Sequence, residues 1–364
     1  MSTSIRPRPA ATRSRDIPVY ELEEFQRLIA TSPDVLAEHP CVVRGFTGQW
    51  AASRRWTSLD QLTEVFGSFP VTAGAPQFTT HKHSKMCQVK TDFGTYLQYV
   101  RNPDRLEELF EGKWSKGDST VLRELDLPLY CGNLRLVRHS REKVLSEIDP
   151  LAPDPMEVLN DDIPYYYQSG NHVWLYVSLA GALTPLHQDN NAVIAYLAQL
   201  QGHKEAILYS PDDKRHYYNR EVGYMDPLCP NDDEFPTWRE AQPWTASLNP
   251  GEFLIWGPNW AHHVVTLSDS ITVSFDIVNS LNLAAYTRSV DWRVELGLIA
   301  RKNADLFRAR MPYPRLHDAL DNAADSDLGR EVMICVLRDA LATPLAERSR
   351  RVKSEMLRIL EESA

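Results

Sequence analysis

The chain has 364 residues, enough for a large core in two domains or in one large domain with appendages. Its hydrophobic share of 43% and charged share of 24% are those of an ordinary soluble globular protein. A formal net charge of -10 leaves no excess of cations to neutralise phosphates, which argues against nucleic acid as a partner.

The cysteines, Cys41, Cys87, Cys131, Cys229 and Cys335, are odd in number and scattered, with no CxxC pair. That usage fits a reducing compartment and neither a disulfide framework nor a zinc knuckle. No apolar run is long enough for a membrane span; the best candidate, 173–183, is strand-like and too short. The N-terminus lacks the apolar core of a secretory signal. The expected location is cytoplasmic, with no membrane partner.

In chain order, residues 1–16 are rich in Arg, Ser, Thr and Pro, and a disordered tail is expected there. Tyr20 to Ala30 has helical spacing through Leu22, Phe25, Leu28 and Ile29. Residues 40–46 read as a buried strand ending in a glycine turn at Gly45. Ser58 then caps a helix through Leu59, Leu62 and Phe66. A strand is expected over 71–80. His81-Lys82-His83 resembles a ligand pair but sits among charged residues and reads as a surface loop. Residues 92–102 and 103–111 read as helical, 127–133 as a strand containing Tyr130, and 140–148 as a helix. A Pro-rich loop over 149–164 leads to Tyr165-Tyr166-Tyr167, which are either core or the rim of a substrate cleft.

Residues 172–280 form the β-rich centre. Strands are expected at 173–179, 193–200, 205–209, 253–256, 263–267 and 271–278, separated by Gly, Pro and Asp/Asn turns. Short strands without interleaved helices predict a sandwich or barrel. The long connection 210–244 interrupts them and reads as a lid or a disordered insertion. After Asn279 the pattern turns helical, with a helix over 328–342 and a last helix opened by Thr343-Pro344 and running to Glu362. Val352, Met356, Ile359 and Leu360 fall on one side of that last helix. The stripe covers either the barrel of its own chain or a second copy.

The chemistry concentrates in two stretches. In Thr184-Pro185-Leu186-His187-Gln188-Asp189, the residues His187 and Asp189 are two apart, so on a strand they point the same way. Trp260-Ala261-His262-His263-Val264 supplies a third ligand, at a separation that lets opposite walls of one barrel meet. Alternation allows only one of the two adjacent histidines to face the ion. The reading takes His262 and leaves His263 on the opposite face. Two His and one carboxylate with open positions suit non-haem Fe(II) and O2 chemistry. Lys204 reads either as a solvated hairpin lysine or as a lysine pointing into the barrel, where its ammonium needs an anionic partner. With hydroxyls from Thr184 and Tyr130, it could hold the far carboxylate of 2-oxoglutarate.

These motifs, together with Val42-Val43-Arg44-Gly45-Phe46, Gln201-Gly202-His203-Lys204, Pro250-Gly251-Glu252 and Ile271-Thr272-Val273-Ser274-Phe275, resemble the Jumonji C-type (cupin-like) Fe(II)/2-oxoglutarate dioxygenases. The likeness is greatest to the subgroup of hypoxia-inducible-factor asparaginyl hydroxylases. It implies a fold that is mainly β with α, a double-stranded β-helix (jelly-roll, cupin) core with an N-terminal α/β flank and a C-terminal helical tail. The implied domain plan is a catalytic domain over 17–280 and a helical region over 281–364 that dimerises. The likeness also implies His187, Asp189 and His262 as iron ligands and Lys204, Thr184 and Tyr130 as 2-oxoglutarate contacts. The implied activity is hydroxylation of an unactivated C–H in a protein, peptide or amino-acid-like substrate, using Fe(II), 2-oxoglutarate and O2 and releasing succinate and CO2. An N-demethylase of the same fold and a non-redox metal-binding cupin are the alternatives. Ser274 departs from the pattern, standing where an Asn is frequent, and Pro258 lies one step later than usual.

Overall fold

Strands alternate between two facing layers, and this alternation is what brings the distant motifs together. The computed structural model describes residues 14–75, 87–153, 173–289 and 326–362. The N-terminal part carries β1 (Arg15–Asp16), β2 (Val19–Glu21), β3 (Cys41–Arg44), β4 (Pro70–Gly74), β5 (Gln88–Asp92), β6 (Trp114–Lys116) and β7 (Cys131–Arg135). The centre carries β8 (Val173–Ser178), β9 (Leu183–Gln188), β10 (Ile194–Gln201), β11 (Lys204–Tyr209), β12 (Tyr218–Asn219), β13 (Gly223–Tyr224), β14 (Trp244–Leu248), β15 (Phe253–Trp256), β16 (Ala261–Thr266) and β17 (Ser270–Ile277).

One sheet has the order β2-β3-β15-β10-β17-β8-β7 and the other β1-β14-β11-β16-β9. β8, β10, β15 and β17 fall in the first and β9, β11, β14 and β16 in the second. This is the double-stranded β-helix that the motif likeness implies. A smaller sheet of order β4-β5-β6 and the helices Leu22–Thr31, Leu59–Phe66, Phe93–Arg101 and Val137–Glu147 make up the N-terminal flank.

β10 shows why these segments fold as strands. Its sequence, IAYLAQLQ, is apolar on both faces, and seven of its eight residues are buried. Inward, Ala195 and Leu197 pack against Val42, Ala206, Leu208, Leu248, Leu254 and Val264 between the sheets. Outward, Tyr196 stacks on Phe275 at 5.1 Å, and Phe253 meets Phe46 at 5.2 Å. Each fully buried Leu, Val or Phe contributes about 1.5–3 kcal/mol, so both faces stabilise the strand.

The segment between β11 and β14 is ordered. Tyr217, Met225, Phe235, Trp238 and Ala241 pack on Leu186, Ile207, Tyr209 and Ala261, on the outer face of the second sheet. It is an ordered cover on that sheet, neither disordered nor without secondary structure. Its local bonds explain the order: the Trp238 indole N–H donates to Asp232 at 2.7 Å, and Asn219 donates to the Glu234 carbonyl at 3.1 Å.

The described residues fall into two compact units, one within 14–153, 173–189 and 195–275 and the other within 190–194 and 276–362. In the second, the helices Leu283–Ser289, Ser326–Leu341 and Glu347–Glu362 share a core. Val352, Met356 and Leu360 pack there on Val193, Val278, Leu283, Tyr286, Met333 and Leu337. Of the two covers left open for the apolar stripe, residues of its own chain pack on Val352, Met356 and Leu360. Buried Asn282 ties this unit locally, donating to the carbonyls of Ala192 and Ile277, each at 3.0 Å.

Several expectations are corrected. Arg15 and Asp16 are not tail: they pair in parallel with Trp244 and Thr245. Residues 19–21 form a strand beside β3, so the first helix begins at Leu22. The last helix begins at Glu347, because the Thr343 hydroxyl donates back to the Ala340 carbonyl at 2.7 Å and closes the preceding helix. The strand expected over 127–133 is shifted to Cys131–Arg135. Ser58 precedes its helix with extended backbone, but its side chain makes no capping bond. Residues 1–13, His81, His83 and Tyr165 to Tyr167 lie outside the described residues. No described helix is long and apolar enough to cross a membrane.

The turn between β10 and β11 permits one residue type. Gly202 has φ +75, and a Cβ there would stand 2.1 Å from the Asp269 carbonyl oxygen. The left-handed backbone alone costs an ordinary residue about 1–2 kcal/mol, and the clash adds to it. Gly202→Ala should lower stability by about 3 kcal/mol or more, read as a fall in the thermal unfolding midpoint. An unchanged midpoint contradicts the geometry of this turn.

Candidate metal centre

β9 carries His187 and ends one residue before Asp189. It runs antiparallel to β16 with His187 directly opposite His262, and the two imidazole centroids are 4.1 Å apart. The two motifs therefore meet as neighbours in one sheet, and not as opposite walls of the barrel as the sequence suggested. Cross-strand partners have Cβ atoms about 4.5–5.5 Å apart, which suits two imidazoles sharing one ion.

A bulge sets which side chains face inward. Val264 pairs with Thr184 and His262 with His187, so Pro185 and Leu186 together stand against His263. In a regular strand, residues 184 and 187 would face opposite sides. The extra residue puts Thr184 and His187 on the same side. Pro185 suits this place because the irregular ladder has no use for its missing N–H. His263 pairs with Ile207, whose side chain belongs to the outer cluster, so it faces away from His262 as expected.

His187, Asp189 and His262 each offer one ligand atom, all within 4.8 Å of one another. Nε2 of His187 is 3.6 Å from one carboxylate oxygen of Asp189, and Nε2 of His262 is 3.9 Å from the other. The Pro185 carbonyl can only accept, so it fixes the His187 proton on Nδ1 at 2.9 Å. Nε2 is then left to bind a metal. Burial would raise the pKa of Asp189, but the two imidazoles and the Trp256 indole N–H outweigh it and hold the carboxyl at about 2. Burial and the neighbouring His187 push His262 down to about 4. At neutral pH the carboxylate is ionised and the His262 imidazole is neutral, as a divalent metal requires. Trp256 also packs on the His262 ring at 4.5 Å. The donor set, two nitrogens and one oxygen, fits a first-row divalent ion with positions left open.

A second polar group lies further along the same inner faces. Lys204 is 3% exposed and donates to the Thr266 hydroxyl at 3.3 Å, which in turn contacts the Ser178 hydroxyl at 3.2 Å. Burial alone lowers the Lys204 pKa to about 8. Thr184 hydrogen-bonds the Tyr130 phenol, and burial raises that phenol's pKa. Thus Thr184 pairs with Tyr130, and Lys204 pairs with Thr266. Gln199 extends the polar lining, donating to the Ser270 hydroxyl at 2.9 Å and accepting from Thr272 at 2.9 Å. Ser274 donates to the Tyr196 carbonyl at 2.9 Å, so it serves the backbone of β10.

Sequence reasoning missed Trp256, Thr266 and Ser178. Thr266 was within reach of it: it lies on the same strand face as His262 and Val264, and period-two counting would have found it. Trp256 and Ser178 come from other strands, and no spacing in the chain points to them.

The cupin-like domain model matches residues 32–276. The JmjC domain-containing protein D of Dictyostelium discoideum is 23% identical over 250 residues, covering 65% of this chain and 50% of its own length. The Jumonji C domain-containing protein 5 of Drosophila melanogaster is 23% identical over 283 residues, with 75% and 62% covered. The arginine-specific demethylase JMJ22 of Arabidopsis thaliana is 22% identical over 253 residues, with 67% and 43% covered. The chain thus spans about half the length of the curated relatives it matches. A match across most of the chain, on a barrel whose neighbouring strands bring two histidines and an aspartate together, means that the chain belongs to the cupin-like, Jumonji C-type family.

Proposed function

We propose that the chain is an Fe(II)- and 2-oxoglutarate-dependent oxygenase that hydroxylates an unactivated C–H of a protein, peptide or amino-acid-like substrate. Succinate and CO2 are the co-products. The observation that carries this reading is the convergence of His187, Asp189 and His262 within 4.8 Å, in a barrel whose interior also holds a buried lysine. When bound, Fe(II) with 2-oxoglutarate supplies the oxidising chemistry for C–H hydroxylation.

The protein's own residues do the rest. His187, Asp189 and His262 hold the ion from one side and leave its other positions open. Trp256 keeps the Asp189 carboxylate hydrogen-bonded and oriented. Among the described residues the Lys204 ammonium meets the Thr266 hydroxyl and no carboxylate, so the distal carboxylate of 2-oxoglutarate would be its counter-charge. Thr184, Tyr130 and Thr266 supply hydroxyl donors to the same end. The packed aliphatic wall of Leu197, Leu208, Leu254 and Val264 keeps bulk water from the reacting C–H.

A second reading, N-demethylation, is favoured by the name of the Arabidopsis thaliana relative, an arginine-specific demethylase. The motif likeness to the asparaginyl hydroxylases favours the first. Formaldehyde release separates the two: a demethylase frees it from a methylated substrate, and a hydroxylase does not.

His187→Ala or Asp189→Ala should reduce 2-oxoglutarate turnover at least 100-fold, measured as succinate formed. Near wild-type succinate production would remove the triad from the reaction.

Lys204 yields a test with two signs. The fall of its pKa from 10.5 to about 8 corresponds to about 3 kcal/mol against the charged form in the folded protein. The folded pKa is below the unfolded one, so this penalty is complete below pH 8 and fades as pH rises to 10.5. Lys204→Met should raise the half-saturating 2-oxoglutarate concentration at least tenfold. In the ligand-free protein it should also raise the unfolding midpoint more at pH 7 than at pH 10. Unchanged 2-oxoglutarate dependence would take Lys204 out of the site.

A further inference from the structure

Gln188, the last residue of β9, lies between the ligands His187 and Asp189 and makes three side-chain hydrogen bonds. The Gln188 side-chain carbonyl accepts from Lys214 Nζ at 2.8 Å and from the Tyr224 hydroxyl at 3.2 Å. Its amide nitrogen donates to the Asn259 carbonyl. The pattern allows one amide orientation, because Lys214 and Tyr224 donate and a backbone carbonyl accepts. Asn259 is held at φ +62, three residues before His262. Lys214 and Tyr224 both come from the segment between β11 and β14, and Lys214 also lies over the Tyr218 ring at 5.1 Å. One side chain therefore ties together the His187–Asp189 arm, the arm that leads to His262, and the cover on the outer face.

We infer that Gln188 is a positioning residue for the metal centre. It sets the spacing between the two ligand-bearing arms, and Lys214 and Tyr224 hold it in place. The inference rests on the metal reading above. Partners that orient metal ligands from behind are worth about 10–100-fold in metal affinity. The segment 210–243 then has a role at the metal centre besides covering apolar surface.

The test is Mn(II) binding to the metal-free full-length chain, followed by the loss of free-ion paramagnetic resonance signal, with the thermal midpoint measured in parallel. Wild type should bind one Mn(II) per chain. Gln188→Leu should weaken binding about 10–100-fold, and Tyr224→Phe, which loses one of two donors, by a smaller factor. Both should keep a midpoint close to wild type. Arg239→Ala, on the same segment but paired with Asp232 away from Gln188, should bind as wild type does. Equal affinity in wild type and both Gln188→Leu and Tyr224→Phe overturns the inference alone. A similar loss in Arg239→Ala also overturns it, since general loosening would then explain the effect. No saturable Mn(II) binding by wild type overturns the metal reading, and this inference with it.

Discussion

The structure depends on one strand pairing. β9 and β16 lie side by side with His187 opposite His262, and Asp189 follows immediately. A slip of one residue would turn one histidine outward and bring Gln188 or His263 into its place. The register is held from both directions. Inward, Val264 packs among Leu208, Leu248 and Leu254. Outward, Leu186 and Ala261 pack beneath Tyr217 and Trp238. The hydrophobic pattern of two short strands thereby positions three polar side chains that share no hydrophobic driving force of their own.

The barrel interior is divided by chemistry. Aliphatic side chains fill the part between β10, β11, β15 and β16, while hydroxyls, an amide and one ammonium line another part. Among the described residues these hydroxyl and amide groups satisfy one another, and the lining is costly at Lys204. The Thr266 hydroxyl does not neutralise that buried cation. A fold built for stability alone would place an apolar residue there. Among the described residues no carboxylate pairs with this buried ammonium, so the position suits an anionic ligand.

Much of this was legible in the chain. The strands β8, β10, β11, β15 and β17 read directly, as short, mostly apolar runs bounded by Gly, Pro and Asp/Asn turns. The His-x-Asp stretch and the distal histidine pair also read directly, because metal chemistry demands few residue types at tight spacing. Other strands did not. β9 contains a proline and a bulge, which break the alternation that marks a strand. β14 is only partly buried, and β1 is two residues long, too short for any periodicity. The covered face of the last helix was visible as a stripe, but a stripe does not say what covers it. That answer, Met333, Leu337 and Tyr286, comes from residues whose contact is set by the fold.

The account stands most directly on an anaerobic titration of the metal-free chain with Fe(II) and 2-oxoglutarate, followed by visible charge-transfer absorption. One Fe(II) per chain should be retained, the absorption should require 2-oxoglutarate, and His262→Ala should lose it. Absorption that forms without 2-oxoglutarate, or that survives without His262, would contradict the centre described here.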